Sequence, residues 1–160
     1  MKIGRLLIQR LKSNPLRLAV TMLVTLACSV PAFCGQLEKA IKKGDVEKVK
    51  ALIEANPSLI SKKFGLLGDT PLSIAAEDCQ KDVATWLLDH NAELDAKDHL
   101  GFTPLLQAAS FGCKDVAQLL LVRGANFNAK NKTGETALWL ANNGRHTDVA
   151  DVLRLFGETK

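Results

Sequence analysis

Apolar residues recur along this chain in short bursts with a helical spacing, separated by polar breaks. Leu72, Ala75 and Ala76 form one burst and Leu105, Ala108 and Ala109 another. Each precedes a longer burst, Val83, Ala84, Leu87 and Leu88 in the first case and Val116, Ala117, Leu120 and Leu121 in the second. Positions spaced in this way lie on one face of an amphipathic helix. The pattern therefore predicts pairs of short helices. Thr70 and Thr103 stand where a hydroxyl caps the first helix of each pair, and Pro71 and Pro104 follow where a missing N–H is harmless. Asp82 and Asp115 fall in the first turn of the second helix, suited to the positive end of its dipole. Asn91 and Gly124 end that helix, and both tolerate a left-handed cap.

The pairs are copies of one another. "GDTPLSIAAE" from Gly68 returns thirty-three residues later as "GFTPLLQAAS" from Gly101, and more weakly as "GETALWLANN" from Gly134. A fixed period in this range marks a repeat architecture. "LEKAIKKGDVEKVKALIEANPSLI", Leu37 to Ile60, fits a first copy that lacks the T-P-L start. In it Leu37, Ala40, Ile41, Val49, Leu52 and Ile53 face inward, with Asn56 as the C-cap. The last copy is polar at Asp151 and Arg154, as a terminal repeat must be to stay soluble. Four repeats result, about 35–67, 68–100, 101–133 and 134–160. The interval from Gly44 to Cys79 is two residues longer than the period, which lengthens the hairpin around "KKFGLLGD". Helices this short do not persist alone, so stacking has to hold them.

"TPL", "AA" and "GANFNAK" in this register resemble the ankyrin repeat, and the resemblance covers Gln36 to the C-terminus. It implies an all-α ankyrin-repeat solenoid of four helix-turn-helix repeats, two internal and two capping, with β-hairpin-like tips. It also implies protein binding through those tips and the first helices, which line a concave face. Departures from the family pattern are specific. The usual His after Leu is Ser73, Leu106 or Trp139. The mid-repeat Gly is Cys79 in one copy and Gly112 in the next, and the position after it is Gln80, Cys113 or His146.

Charge changes the picture at the N-terminus. Of 21 Lys and Arg residues, five lie in the first 34 positions, where none of the 17 acids falls. The remainder holds 16 basic against 17 acidic groups, so it has no basic footprint for nucleic acid. The basic stretch precedes an apolar run from Leu18 to Phe33, with small-residue exits after Ala32 or Cys34. That is the plan of a secretory signal, residues 1–34. The run is just short of the ~20 residues of a membrane span. Cleavage between Ala32 and Gly35 and a periplasmic or secreted mature chain are expected. The alternative is an inner-membrane anchor in residues 18–34.

Little in the chain suggests chemistry. His90, His99 and His146 lie in different repeats, and no triad, phosphate loop or nucleophile elbow appears. Cys113 and His146 share one register position, but packed helices stand about 8–10 Å apart, too far for two ligands of one zinc. Glu47, Asp82, Asp115 and Asp148 also share a position and read as charges at helix N-termini rather than a calcium or acid–base site. Trp86 and Trp139 read as packing residues. By the same spacing Cys79 and Cys113 are expected to remain two free thiols, since a disulfide needs Cα atoms about 4.4–6.8 Å apart. No enzyme activity, cofactor, metal or small-molecule substrate is expected.

What remains is a surface for another protein. Its expected residues are Phe64, Leu66, Leu67 and Asp69 on the first tip, His99, Leu100 and Phe102 on the second, Lys132 and Glu135 on the third, and Phe111 at the end of a first helix. A contiguous apolar patch of this kind marks an interaction site. Phe102, central and aromatic, is the expected hot spot. The other readings are an immunity or protective subunit of an exported enzyme, a membrane-anchored adaptor, and a redox-active protein using Cys79 and Cys113.

Overall fold

The computed structural model describes residues 30–158, with side chains from Gly35 onward. The basic stretch and most of the apolar run lie outside the described residues. Eight α-helices follow in pairs: α1 Val30–Lys42 and α2 Val46–Ala55, α3 Pro71–Glu77 and α4 Lys81–Asp89, α5 Pro104–Phe111 and α6 Lys114–Val122, α7 Ala137–Asn143 and α8 Thr147–Glu158. No strand occurs among the described residues, and the tips carry isolated bridges, Phe64 with Asp69 and Lys130 with Thr136.

The caps form as the residue types require. The hydroxyls of Thr70, Thr103 and Thr136 accept the backbone N–H of Ser73, Leu106 and Trp139 at 3.2, 3.4 and 3.3 Å. Each satisfies one of the donors that a helix start leaves unpaired. Asn91 and Gly124, just past α4 and α6, adopt φ of +64° and +92°. Between the helices of each pair the chain turns through another left-handed residue: Gly44, Cys79, Gly112 and Arg145, at +69°, +56°, +76° and +61°.

Stacking makes the core. α3 packs on α5 and α5 on α7, while α4 packs on α6 and α6 on α8. Ala75, Ala76, Ala108, Ala109 and Ala141 are sealed between the first helices, where a methyl group is all the spacing permits. Val83, Leu87, Val116, Leu120, Val149 and Leu153 fill the space between the two rows. The longer first interval is taken up by a 3-10 turn, Pro57–Ser61, whose Leu59 is buried, and by the Phe64–Asp69 hairpin.

Cys79 and Cys113 form a disulfide with Cα atoms 4.9 Å apart. The expectation of two free thiols is thereby overturned. Helix axes do stand apart, but Cys113 lies one residue further along its repeat than Cys79, and its side chain reaches back under the preceding loop. Axis spacing does not describe that offset contact.

Candidate partner-binding surface

The tips are built differently from one another. At the second, the buried Asp98 folds the chain around its own carboxylate: Oδ1 accepts the N–H of Leu100 and of Phe102, both at 2.8 Å. Asn131 does the same at the third, its Oδ1 accepting from Thr133 and Glu135 at 3.1 and 2.9 Å. The first tip has Gly65 in the matching position and closes by backbone pairing, Phe64 N to Asp69 O at 2.7 Å and Asp69 N to Phe64 O at 3.0 Å.

Neighbouring tips are laced together. The N–H of His99 donates to the Leu67 carbonyl at 2.7 Å, and its ring Nδ1 lies 3.0 Å from the Leu66 carbonyl. A carbonyl only accepts, so Nδ1 carries the proton. Lys132 N donates to Leu100 O at 2.9 Å, which joins the third tip to the second. The backbone of Leu66 and Leu67 thus lies against His99, the residue before Leu100. Leu66 is 96% exposed, and Leu67 and Leu100 nearly half. His99 closes against Gly68, where a Cβ would come within 2.8 Å of its Nε2.

The sequence-expected residues do not all reach this surface. Phe64 is only 5% exposed, so its ring belongs to the core and leaves the candidate set. Asp69 is part-buried, and its Oδ1 is wholly enclosed with no hydrogen-bond partner among the described residues. Burial, with the charge of Asp98 behind it, pushes its carboxyl above the usual range. Phe102 is part-exposed, while Phe111 is half-exposed at the end of α5. Lys132 is exposed, and Glu135 is tied down by Asn131 Nδ2 at 2.6 Å and Thr133 Oγ1 at 2.7 Å. Those two donors hold the Glu135 carboxyl below its usual range.

Other residues went unnoticed in the sequence. Trp139, expected as packing, is 48% exposed. Its counterparts Ser73 and Leu106 are buried, each with another helix pair following its own. Among the described residues none follows the fourth pair, so Trp139 stands uncovered. Around Lys42, which pairs with Glu38 at 3.1 Å, the acids Asp69, Glu77 and Asp78 are near enough to interact electrostatically. Glu77 is raised above its usual range by burial first, then by Asp78 and Asp69. The zinc idea for Cys113 and His146 has no support, since Cys113 is in the disulfide and His146 Nε2 donates to Ser110 O at 3.0 Å.

Stacked helix pairs with a laced edge of exposed leucines define a helical repeat solenoid. The chain belongs to the ankyrin-repeat family: a family model described as ankyrin repeats, in three copies, matches residues 37–131. Ankyrin repeats are in general protein–protein interaction modules and typically not enzymes. No curated protein matches the chain.

Proposed function

We propose that this protein is an exported interaction module that binds another protein through its concave face and hairpin tips. The lacing of the tips supports the reading, because it ties together the backbone segments that carry the exposed Leu66, Leu67 and Leu100. Phe111 and Trp139, on first helices, extend the apolar surface. Four repeats are proposed, the fourth helix pair lying beyond the matched residues. Export rests on the basic and apolar run of residues 1–34, with a periplasmic or secreted mature chain. Among the described residues no helix is long and apolar enough to cross a membrane. Intact-mass measurement of the exported protein checks the cut between Ala32 and Gly35; a full-length species released only by detergent would refute it.

The binding test uses the exposed leucines. Phe102 is part-buried, so truncating it touches the stack as well as the surface. Leu66→Ser with Leu100→Ser should leave helical circular dichroism and melting unchanged. It should also weaken a captured partner by about thirtyfold, the equivalent of ~2 kcal/mol. Val122→Ser, an exposed apolar change on α6, serves as control and should keep full affinity. Equal loss in both variants would move the site away from the tips.

A further inference from the structure

One side-chain contact recurs at every junction between helix pairs. The residue after each left-handed turn reaches back to a carbonyl in the last turn of the first helix of the preceding pair. Gln80 Nε2 donates to Lys42 O at 3.0 Å, Cys113 Sγ lies 3.5 Å from Glu77 O, and His146 Nε2 donates to Ser110 O at 3.0 Å. At the outer junctions the facing turn residue is glycine. A Cβ on Gly44 would collide with the amide of Gln80, and one on Gly112 with the ring of His146. At the middle junction the turn residue is Cys79, and a covalent bond to Cys113 takes the place of that collision.

We propose that Cys79–Cys113 is a thiol–disulfide exchange site, opened by a dithiol reductant and closed again by a disulfide oxidant, through the same two displacements in reverse, while the solenoid stays folded. The two sulfurs are unequal. Cys79 belongs to the surface, whereas Cys113 is 2% exposed, so an incoming thiolate meets Cys79 first. A shallow groove lined by Lys114, Asp115 and Asp148 gives access to the bond. Cys113 is also the N-cap residue of the nine-residue α6, which has no side-chain cap bond there. Attack at the exposed Cys79 makes Cys113 the leaving sulfur, and the helix N-terminus offsets part of what burial and the nearby Asp115 and Asp148 cost its charge.

The exchange runs in two displacements. A thiolate of the reductant attacks Cys79 Sγ, the Cys79–Cys113 bond breaks, and Cys113 leaves as a thiolate and takes up a proton. The second thiolate of the reductant then attacks its own sulfur in the mixed disulfide and releases Cys79, which is protonated in turn. The reductant ends as a disulfide, and the protein has gained two electrons and two protons.

The reduced state has a place ready in the fold. Sulfur in a disulfide carries no proton and cannot donate to Glu77 O. A reduced Cys113 can, and it then makes the contact that Gln80 and His146 make at the neighbouring junctions. Cys79 remains in a left-handed turn with φ +56°, as Arg145 does in the fourth pair.

The test uses the full chain without denaturant. Dithiothreitol should free Cys79 and Cys113, identified by peptide mass mapping after alkylation so that Cys28 and Cys34 are counted separately. The reduced protein should keep its helical circular dichroism and melt cooperatively, with its midpoint lower by about 10 °C. With oxidised glutathione, Cys113→Ser should form an adduct at Cys79 at least tenfold faster than Cys79→Gly forms one at Cys113. Cys79→Gly should stay folded, since glycine already occupies this turn at Gly44 and Gly112. Two free thiols in the oxidised protein, reduction only in denaturant, loss of helicity on reduction, or faster reaction at Cys113 would each overturn the proposal.

Discussion

The first and second hairpin tips do the same job with opposite materials. The second turns around a buried carboxylate, Asp98, which gathers the N–H groups of Leu100 and Phe102 and lies 3.5 Å from Gln107 Nε2. The first has Gly65 where that carboxylate would be, pairs its own backbone, and plugs the space beneath with the ring of Phe64. A polar anchor is directional and sets the loop from within. An apolar plug sets it from below, by displacing water. Both leave the leucines of their tips outside.

The largest break in this comparison is Phe64→Ala. It removes a buried ring from under a loop with no side-chain anchor of the Asp98 kind, and should cost about 3 kcal/mol. Denaturant unfolding measures it. A cost below about 0.5 kcal/mol, the range of ordinary surface changes, would mean that the ring is not core.

Asp98→Ala comes next. Two part-buried backbone donors lose a charged acceptor, which should cost about 2 kcal/mol. Asp98→Asn should recover most of it, because Asn131 performs the same role at the third tip through its Oδ1. Equal losses for Ala and Asn would show that charge, not acceptor geometry, holds the tip.

A smaller effect tests Asp69, on the first tip and within electrostatic reach of Asp98 on the second. Its folded carboxyl is raised above the unfolded value of 3.8, so the folded state binds the proton more tightly. The resulting stability is fully present below the unfolded value and is lost as pH rises through the folded one. Glu77 acts in the same sense from 4.5. Asp69→Asn should therefore flatten the decline of the melting midpoint as pH rises above about 4, and should raise the midpoint at neutral pH. An unchanged pH profile would place the cause in other carboxylates.

Most of the helical frame was legible in the sequence, because local rules generate it. Thr70 and Thr103 cap, Pro71 and Pro104 start, and the alanines pack where the period puts them. The candidate surface was legible only in part. Leu66, Leu67, Leu100 and Phe111 do emerge. Phe64 does not, since alternation in a six-residue hairpin leaves open which side faces the stack. The lacing by His99 joins residues thirty-three apart, and no local pattern announces it.

The sequence by itself determined the period, the helix pairs, and their caps, including the left-handed ones at Asn91 and Gly124. Each depends on residues within a few positions of one another and on backbone preferences that travel with the residue type. Tertiary structure alone decided which side chains meet across the junctions. Gln80, Cys113 and His146 occupy one register position yet make an amide-to-carbonyl hydrogen bond, a disulfide and an imidazole-to-carbonyl hydrogen bond. Their partners are supplied by the preceding pair, and an offset of a single residue brings Cys79 and Cys113 to 4.9 Å between Cα atoms. Trp139 differs from its buried counterparts Ser73 and Leu106 for the same reason. Burial in a stack depends on the neighbour that follows.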